Sequence, residues 1–486
     1  METKDLITKE ESLDPANWDD MRALGHQMVD DMLNWLQSVR DRPVWKKPSA
    51  YAVNCMKQPL PEWPSEPGSI YEDFLTQVLP YNTNNIHPRF WAWVQGTGSP
   101  MGMLADMLAS GMNANLAIGN HMPVYVEKQV LDWSKELFGF PAGASGILTS
   151  GASLANLTAL VVARNHFNHQ IKEKGLSSQE GQLTFYGSSE THQCVNKGAE
   201  VIGIGNENFR KIPVDENYRI RIDLLEEIIR EDKLEGNRPF CLIGNAGTVN
   251  TGSTDDLEAL ARIARREKIW FHVDGAFGAV PNILPEFHDP LRGLEMADSL
   301  SFDFHKWLYV NYDIGCVLFR DAAAHRNAFT SSVNYLLQHE RGLSSGPDPF
   351  SNYGMELSRG FKALKVWMML KENGRKKYGR LIRQNLEQAK YLATAIKARQ
   401  ELELMAPVPL NIICFRYRPE NLDDRELNIL NKEILMRLHE QGIAAPSYTL
   451  LNGRYAIRVA ITNHRSRRED FDILVRETIR IGKELD

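Results

Sequence analysis

From about residue 88 onwards, short apolar runs alternate with stretches of helical periodicity, and this alternation limits the fold more than any other feature of the chain. The apolar runs are LTFYGS (183–188), AEVIGIG (199–205), RPFCLIGNA (238–246), KIWFHVDGA (268–276), SLSFD (299–303) and GCVLFRD (315–321). Each reads as a strand. Helices are predicted between them at 154–165, 224–231 and 255–267. Strands separated by helices pair in parallel, because a parallel neighbour needs a long crossover. The pattern predicts an α/β domain with a largely parallel sheet, whose ligands bind outside the carboxyl ends of the strands.

The flanks differ. Residues 18–38 place Met21, Leu24, Met28, Met32, Leu33 and Leu36 at helical spacing, predicting an amphipathic helix too one-sided to fold alone. A stretch punctuated by Pro and Trp follows at 43–67. Residues 355–397 are strongly helical. The strands LNIICFRY and YAIRVAIT with helices at 424–441 and 469–483 then predict a small α+β domain.

Composition removes several function classes. With 43% hydrophobic and 24% charged residues the chain is globular. Its net charge of -6 comes from 56 basic and 62 acidic residues, and the basic ones form no stripe, which argues against a nucleic-acid binder. The densest basic run, Arg465-Ser466-Arg467-Arg468, meets Glu469 and Asp470 at once and reads as a solvated helix start. Five scattered cysteines without a CxxC pair argue against a disulfide framework or a zinc site. The polar N-terminus and the absence of any run near the roughly 20 apolar residues of a membrane span predict a soluble, cytoplasmic protein.

Four segments carry chemistry. KIWFHVDGAFGAV (268–280) is an apolar strand ending in Asp274, followed by Gly275 and Ala276. Such an acid can cap the next helix, or face a cationic ring nitrogen while the small residues admit a flat cofactor. SLSFDFHKWLYVNYDIGCVLFRD (299–321) runs from a strand into His305, Lys306 and Trp307. Phe304, Trp307 and Leu308 predict a desolvated Lys306 with a lowered pKa, as an imine-forming amine needs. Thr149-Ser150-Gly151-Ala152-Ser153 is a small-residue turn opening into a helix, an anion site suited to phosphate. His192 follows the strand LTFYGS in a strand-to-helix connection, where α/β sites are built.

A phosphate turn, a His, a strand-end Asp and a Lys, in that order, match the fold-type I enzymes of pyridoxal 5'-phosphate (PLP). The chain resembles the group II PLP-dependent amino-acid decarboxylases, which include the aromatic-L-amino-acid, histidine and glutamate decarboxylases. The likeness is carried by HPRFWAWV (87–94), MLADML (103–108), TSGASLANLTAL (149–160), THQCV (191–195), NAGTVNTGSTDDL (245–257), VDGAFGA (273–279), DFHKWL (303–308), ELSRGFKALKVW (356–367) and YAIRVAITNHR (455–465). It implies an aspartate-aminotransferase-like large domain at 87–375 with a mainly parallel seven-stranded sheet. It also implies an N-terminal helical segment at 1–86 packing on a homodimer partner and a small C-terminal domain at 376–486.

Residue by residue, the resemblance implies that Lys306 forms the Schiff base with PLP and that Asp274 keeps the pyridine nitrogen protonated. Ala276 and His192 take the two ring faces. Ala152 and Ser153 hold the phosphate, helped by Asp303 and His305, with Thr248 and Asp255 beside the cofactor. Phe90, Trp91, Trp93 and Val94 form an apolar wall for an amino-acid substrate, and Arg458 lies where some relatives place an arginine near the substrate carboxylate. The implied reaction is decarboxylation of an L-amino acid to an amine and CO2.

Two departures from the family pattern bear on the product and the substrate. Phe350 falls where the eukaryotic aromatic decarboxylases carry a tyrosine that donates a proton, and in plant relatives phenylalanine there accompanies aldehyde synthesis. Tyr353 and Tyr335, in the same Gly-, Ser- and Pro-rich loop, are the alternative donors. Asn85 stands where aromatic-specific members carry a Trp, and Trp93 replaces a Tyr. The sequence therefore leaves the side chain of the substrate open. A silent scaffold on this fold is the reading from another class, and the intact set of Lys306, Asp274, His192 and phosphate turn argues against it.

Overall fold

The computed structural model describes residues 11–330 and 339–486. Its strands are β1 (Phe90–Trp91), β2 (Ser145–Thr149), β3 (Leu183–Ser188), β4 (Phe209–Ile212), β5 (Arg238–Asn245), β6 (Trp270–Asp274), β7 (Ser299–Asp303), β8 (Gly315–Phe319), β9 (Leu402–Leu404), β10 (Ile412–Tyr417), β11 (Ala445–Leu451) and β12 (Arg454–Ala460). Seven of them form the large sheet in the order β2-β8-β7-β6-β5-β3-β4. Strands β7, β6, β5, β3 and β4 are mutually parallel, and β8 runs antiparallel between β2 and β7.

Why the central strands read as unbroken apolar runs is now plain: both faces are covered. Ile243 faces a cluster with Ala155, Ala159 and Val162 of the helix Ala152–Phe167, while Leu242 faces Leu260 and Ala264 of the helix Leu257–Glu267. One predicted strand is absent. In AEVIGIG the first residues finish the helix Gln193–Val201, and Gly203 and Gly205 follow with φ of 80° and 85°. Left-handed backbone at two nearby positions breaks an extended run. Ile202 and Ile204 are buried against the helix Ala152–Phe167, which explains their apolar character. The strand next to β3 is the less conspicuous FRKI of β4.

The smaller sheet has the order β1-β11-β12-β10-β9. Its first member comes from far upstream: Phe90 and Trp91 pair in parallel with Ala445 and Pro446. The segment that begins at residue 87 is thus sewn into the C-terminal sheet. The helix Ala363–Lys397 joins the two sheets and kinks at Gly374, whose φ is 63°. The N-terminal helix Trp18–Gln37 has no buried residue and leaves Trp18, Met21, Met28 and Leu33 exposed. Among the described residues no helix is long and apolar enough to cross a membrane. Arg465 departs from the solvated reading of its basic run: its guanidinium donates to the carbonyls of Thr97 (3.1 Å) and Gly98 (3.4 Å).

The segment ELSRG is fastened by a buried ion pair. Arg359 and Glu127 are 6% and 1% exposed, and the same guanidinium donates to the Leu148 carbonyl at 3.2 Å, on β2. Breaking one partner strands the other charge away from water. Glu127→Ala is therefore expected to destabilise the protein by about 3–5 kcal/mol, read as a lower midpoint of urea unfolding. An unchanged midpoint would show that Arg359 finds water in the mutant.

Candidate active site

The carboxyl ends of β3, β5, β6 and β7 open into a cavity of ≈ 490 Å³. At one end lies Gly151, which precedes the 16-residue helix Ala152–Phe167 and gives it no side-chain cap. The first turn, Ala152 to Leu154, lines the cavity, so its unbonded N–H groups and the positive end of the helix dipole face the open space. A Cβ on residue 151 would come within 3.1 Å of the His305 ring. His305 accepts from the Ile314 N–H through Nδ1 at 3.0 Å. The neutral ring therefore carries its proton on Nε2, beside that turn, and burial holds its pKa below the usual histidine value.

Lys306 sits at the centre, with Nζ 3.0 Å from Asp303 Oδ2. Burial pulls the pKa of the ammonium down, but the charge and hydrogen bond of Asp303, then the charge of Asp274, outweigh it and hold the pKa above the ordinary lysine value. This corrects the lowered pKa expected from the aromatic neighbours. Phe304, Trp307 and Leu308 face the core, and the Trp307 indole donates to Asn385 at 3.1 Å. Asp303 also changes role. A carboxylate repels phosphate, so its place is with the lysine.

Asp274 is 6% exposed, its Oδ1 accepting from the Ala276 N–H at 3.1 Å and its Oδ2 from Asn156 Nδ2 at 3.0 Å. His192 caps the helix Gln193–Val201 by accepting from the Cys194 N–H at 3.3 Å. Burial lowers its pKa, partly opposed by Asp274. Ala276 and Thr248, also predicted beside the cofactor, lie on the cavity wall. Asp255 does not reach it: its carboxylate is consumed behind the site by the N–H of Ile220 (2.8 Å) and by the N–H and side-chain amide of Asn245 (both 2.9 Å).

Of the predicted substrate wall only Trp93 and Val94 line the cavity. Strand alternation turns Phe90 towards Val44 and Ala445, and Trp91 towards Phe471. Asn85 donates to the Gly96 carbonyl at 2.7 Å and braces the segment above Lys306. Arg458 lies behind Trp93, donating to its carbonyl at 2.8 Å, and does not line the cavity. Burial brings its pKa down to about 10. Phe350 is buried in the core beneath Arg359. Tyr353 donates to Asp348 at 2.8 Å and packs on His325, so the structure brings neither residue to the cavity. Tyr335 lies outside the described residues. Glu190, Cys194, Tyr312 and Asn156 were missed; for Asn156 the signal was a polar residue inside the apolar helix LANLTALVVA.

The model of the pyridoxal-dependent decarboxylase conserved domain matches residues 50–418. The chain belongs to the pyridoxal-dependent decarboxylase family. It is 34% identical over 457 residues to an aromatic-L-amino-acid decarboxylase of Bacillus atrophaeus, covering 93% of both chains. It is 28% identical to a phenylacetaldehyde synthase of Arabidopsis thaliana, covering 92% of this chain and 93% of the relative. A crystal structure of Oryza sativa TDC with PLP and tryptamine superposes with a TM-score of 0.91 at 25% identity, over 98% of this chain and 100% of that one. The enzyme is a PLP-dependent carboxy-lyase. Its cavity fits that cofactor: an uncapped helix start suits the phosphate, the Lys306 amine the aldehyde, and the Asp274 carboxylate a protonated ring nitrogen.

An amine must be neutral to attack the PLP aldehyde, and Asp303 is the largest influence holding the Lys306 proton on. With Asp303→Asn the pKa falls, so the pH midpoint for capture of PLP by the apoenzyme moves down, followed by the growth rate of the visible band. A midpoint unchanged or higher would contradict the pairing.

Proposed function

We propose that the protein decarboxylates an aromatic L-amino acid to its amine and CO2. The observation that carries this reading is one cavity holding Lys306, Asp274 and the uncapped start of the helix Ala152–Phe167. Bound PLP supplies an electron sink for the bonding pair left when CO2 departs. Lys306 would hold the cofactor through its amine, in the cavity that the substrate amine must enter. The N–H groups of Ala152 and Ser153, with His305 Nε2–H, hold the phosphate. Asp274 keeps the proton on the ring nitrogen, and His192 and Ala276 confine the ring. Trp93 and Val94 form an apolar rim that keeps water from the reacting carboxylate.

An aromatic side chain is favoured by the indole of Trp93 at the mouth and by the names of the relatives. Amine formation is favoured over aldehyde formation because Phe350, which motivated the alternative, is buried away from the cavity. The proton-donating role expected of a loop tyrosine then falls to Tyr335, since the Tyr353 hydroxyl is engaged by Asp348. The exposed Trp18, Met21, Met28 and Leu33 of the N-terminal helix support a homodimer, because an isolated surface rarely presents such a row.

Holoenzyme incubated in air with a panel of L-amino acids is expected to release amine without hydrogen peroxide, fastest with aromatic substrates. Aldehyde with peroxide would overturn the amine assignment. Tyr353→Phe is expected to keep wild-type products and to change kcat by less than a factor of two, whereas Tyr335→Phe loses amine formation. In gel filtration the protein should run at twice its 55.3 kDa.

A further inference from the structure

Beneath the cavity floor a row of buried polar side chains runs from Trp270 to Asp274, and donor chemistry fixes its direction. An indole N–H can only donate, so Ser299 Oγ accepts from Trp270 Nε1 at 2.8 Å. The Ser299 hydroxyl lies 2.8 Å from His272 Nδ1 and donates to it when the His272 proton sits on Nε2. His272 is 1% exposed, and burial lowers its pKa to about 4, so the ring is neutral and carries one proton. Its Nε2 meets Asn156 Oδ1 at 2.8 Å, and the Ser301 hydroxyl donates to the same oxygen at 2.5 Å. A carboxylate only accepts, so the Asp274 end of the row claims the amide nitrogen, which turns Oδ1 towards His272 and leaves the His272 proton on Nε2. Asn156 Nδ2 therefore faces Asp274 Oδ2 at 3.0 Å and Cys194 Sγ at 3.2 Å.

We propose that Asn156 is a positioning residue that presents Asp274 to the cofactor's ring nitrogen as a hydrogen-bond acceptor, its own amide held by His272 and Ser301. Asn156 is fully buried and does not touch the cavity, so it acts through Asp274 alone. Its amide N–H and the Ala276 N–H occupy one carboxylate oxygen each. They also fix its plane, so that the remaining lone pairs point into the cavity in one arrangement. Without them two buried carboxylate oxygens would lack protein donors. The inference rests on the assignment of Asp274 to the ring nitrogen.

The test compares Asn156→Ala, Asn156→Asp, Ser301→Ala and Asp274→Asn in the full chain. Two readouts besides turnover are the Kd for PLP from absorbance titration and the pH titration of the visible band. Asn156→Ala and Asn156→Asp are expected to raise the Kd about tenfold or more and to change the band's pH titration in the direction seen with Asp274→Asn. Ser301→Ala, which removes one donor from the amide oxygen at little cost in volume, is expected to move both readouts the same way by less. It keeps the test decisive should the Asn156 variants fail to fold, which circular dichroism of the apo forms would reveal. If Asp274→Asn alone changes affinity and band, while Ser301→Ala and any folded Asn156 variant match wild type, Asn156 is a packing residue and the inference is overturned. If Asp274→Asn also matches wild type, the assignment of Asp274 itself is wrong.

Discussion

The parallel direction of β3, β5, β6 and β7 is the constraint on which the rest depends. Parallel neighbours must be joined by crossovers, and these bury both faces of the sheet. Polar groups open to a ligand then gather where the strands end. His192, Thr248, Asp274 and Lys306 all follow or close such strand ends, and the N-terminus of the helix Ala152–Phe167 points at the same place after β2. The antiparallel β8 closes the arrangement behind Lys306. A Cβ on Gly315 would lie 2.5 Å from Asp303 Oδ1, so only a bare backbone lets β8 pass that carboxylate.

Charge is balanced within the cavity over short distances. Asp303 partners Lys306 at 3.0 Å, while Asp274 draws on two hydrogen bonds in place of a cation. The division has a chemical use. The first carboxylate holds the Lys306 pKa above the ordinary lysine value, and the second keeps lone pairs free beyond its two bonds. His305 and His192 accept backbone N–H bonds through Nδ1. In their neutral forms both therefore present Nε2–H, and the tautomers follow from local backbone geometry.

The mouth of the cavity belongs to both sheets. The segment after β1 passes over Lys306 so closely that a Cβ on Gly96 would fall 2.3 Å from the Lys306 carbonyl oxygen. Asn250, in the loop after β5, accepts from Thr449 at 2.7 Å through its side chain and from Cys414 at 3.2 Å and Arg458 at 3.3 Å through its carbonyl. Its amide donates to Glu190 on the cavity wall at 2.9 Å. A displacement of the small sheet would thus reach Trp93 through β1 and Glu190 through Asn250.

Strand and helix periodicity determined most elements of the large domain, and the residue types at strand ends singled out Lys306, Asp274, His192 and the phosphate turn. These are local properties: an apolar run, a turn of small residues and a charged residue where a strand stops can all be read within a dozen positions. What periodicity could not separate was a buried strand from the apolar end of a helix, hence AEVIGIG. Side-chain direction and partnership were decided only in three dimensions. Strand alternation turned Phe90 and Trp91 away from the cavity. Backbone donors absorbed Asp255, and an acidic neighbour three residues away reversed the pKa shift of Lys306. Asn156 joined Asp274 across 118 positions of sequence. The sequence by itself determined the Lys, Asp, His and small-residue turn at the centre of the site. Tertiary structure decided which of them face the cavity and in what ionisation state, because burial and hydrogen bonding are set by distant neighbours.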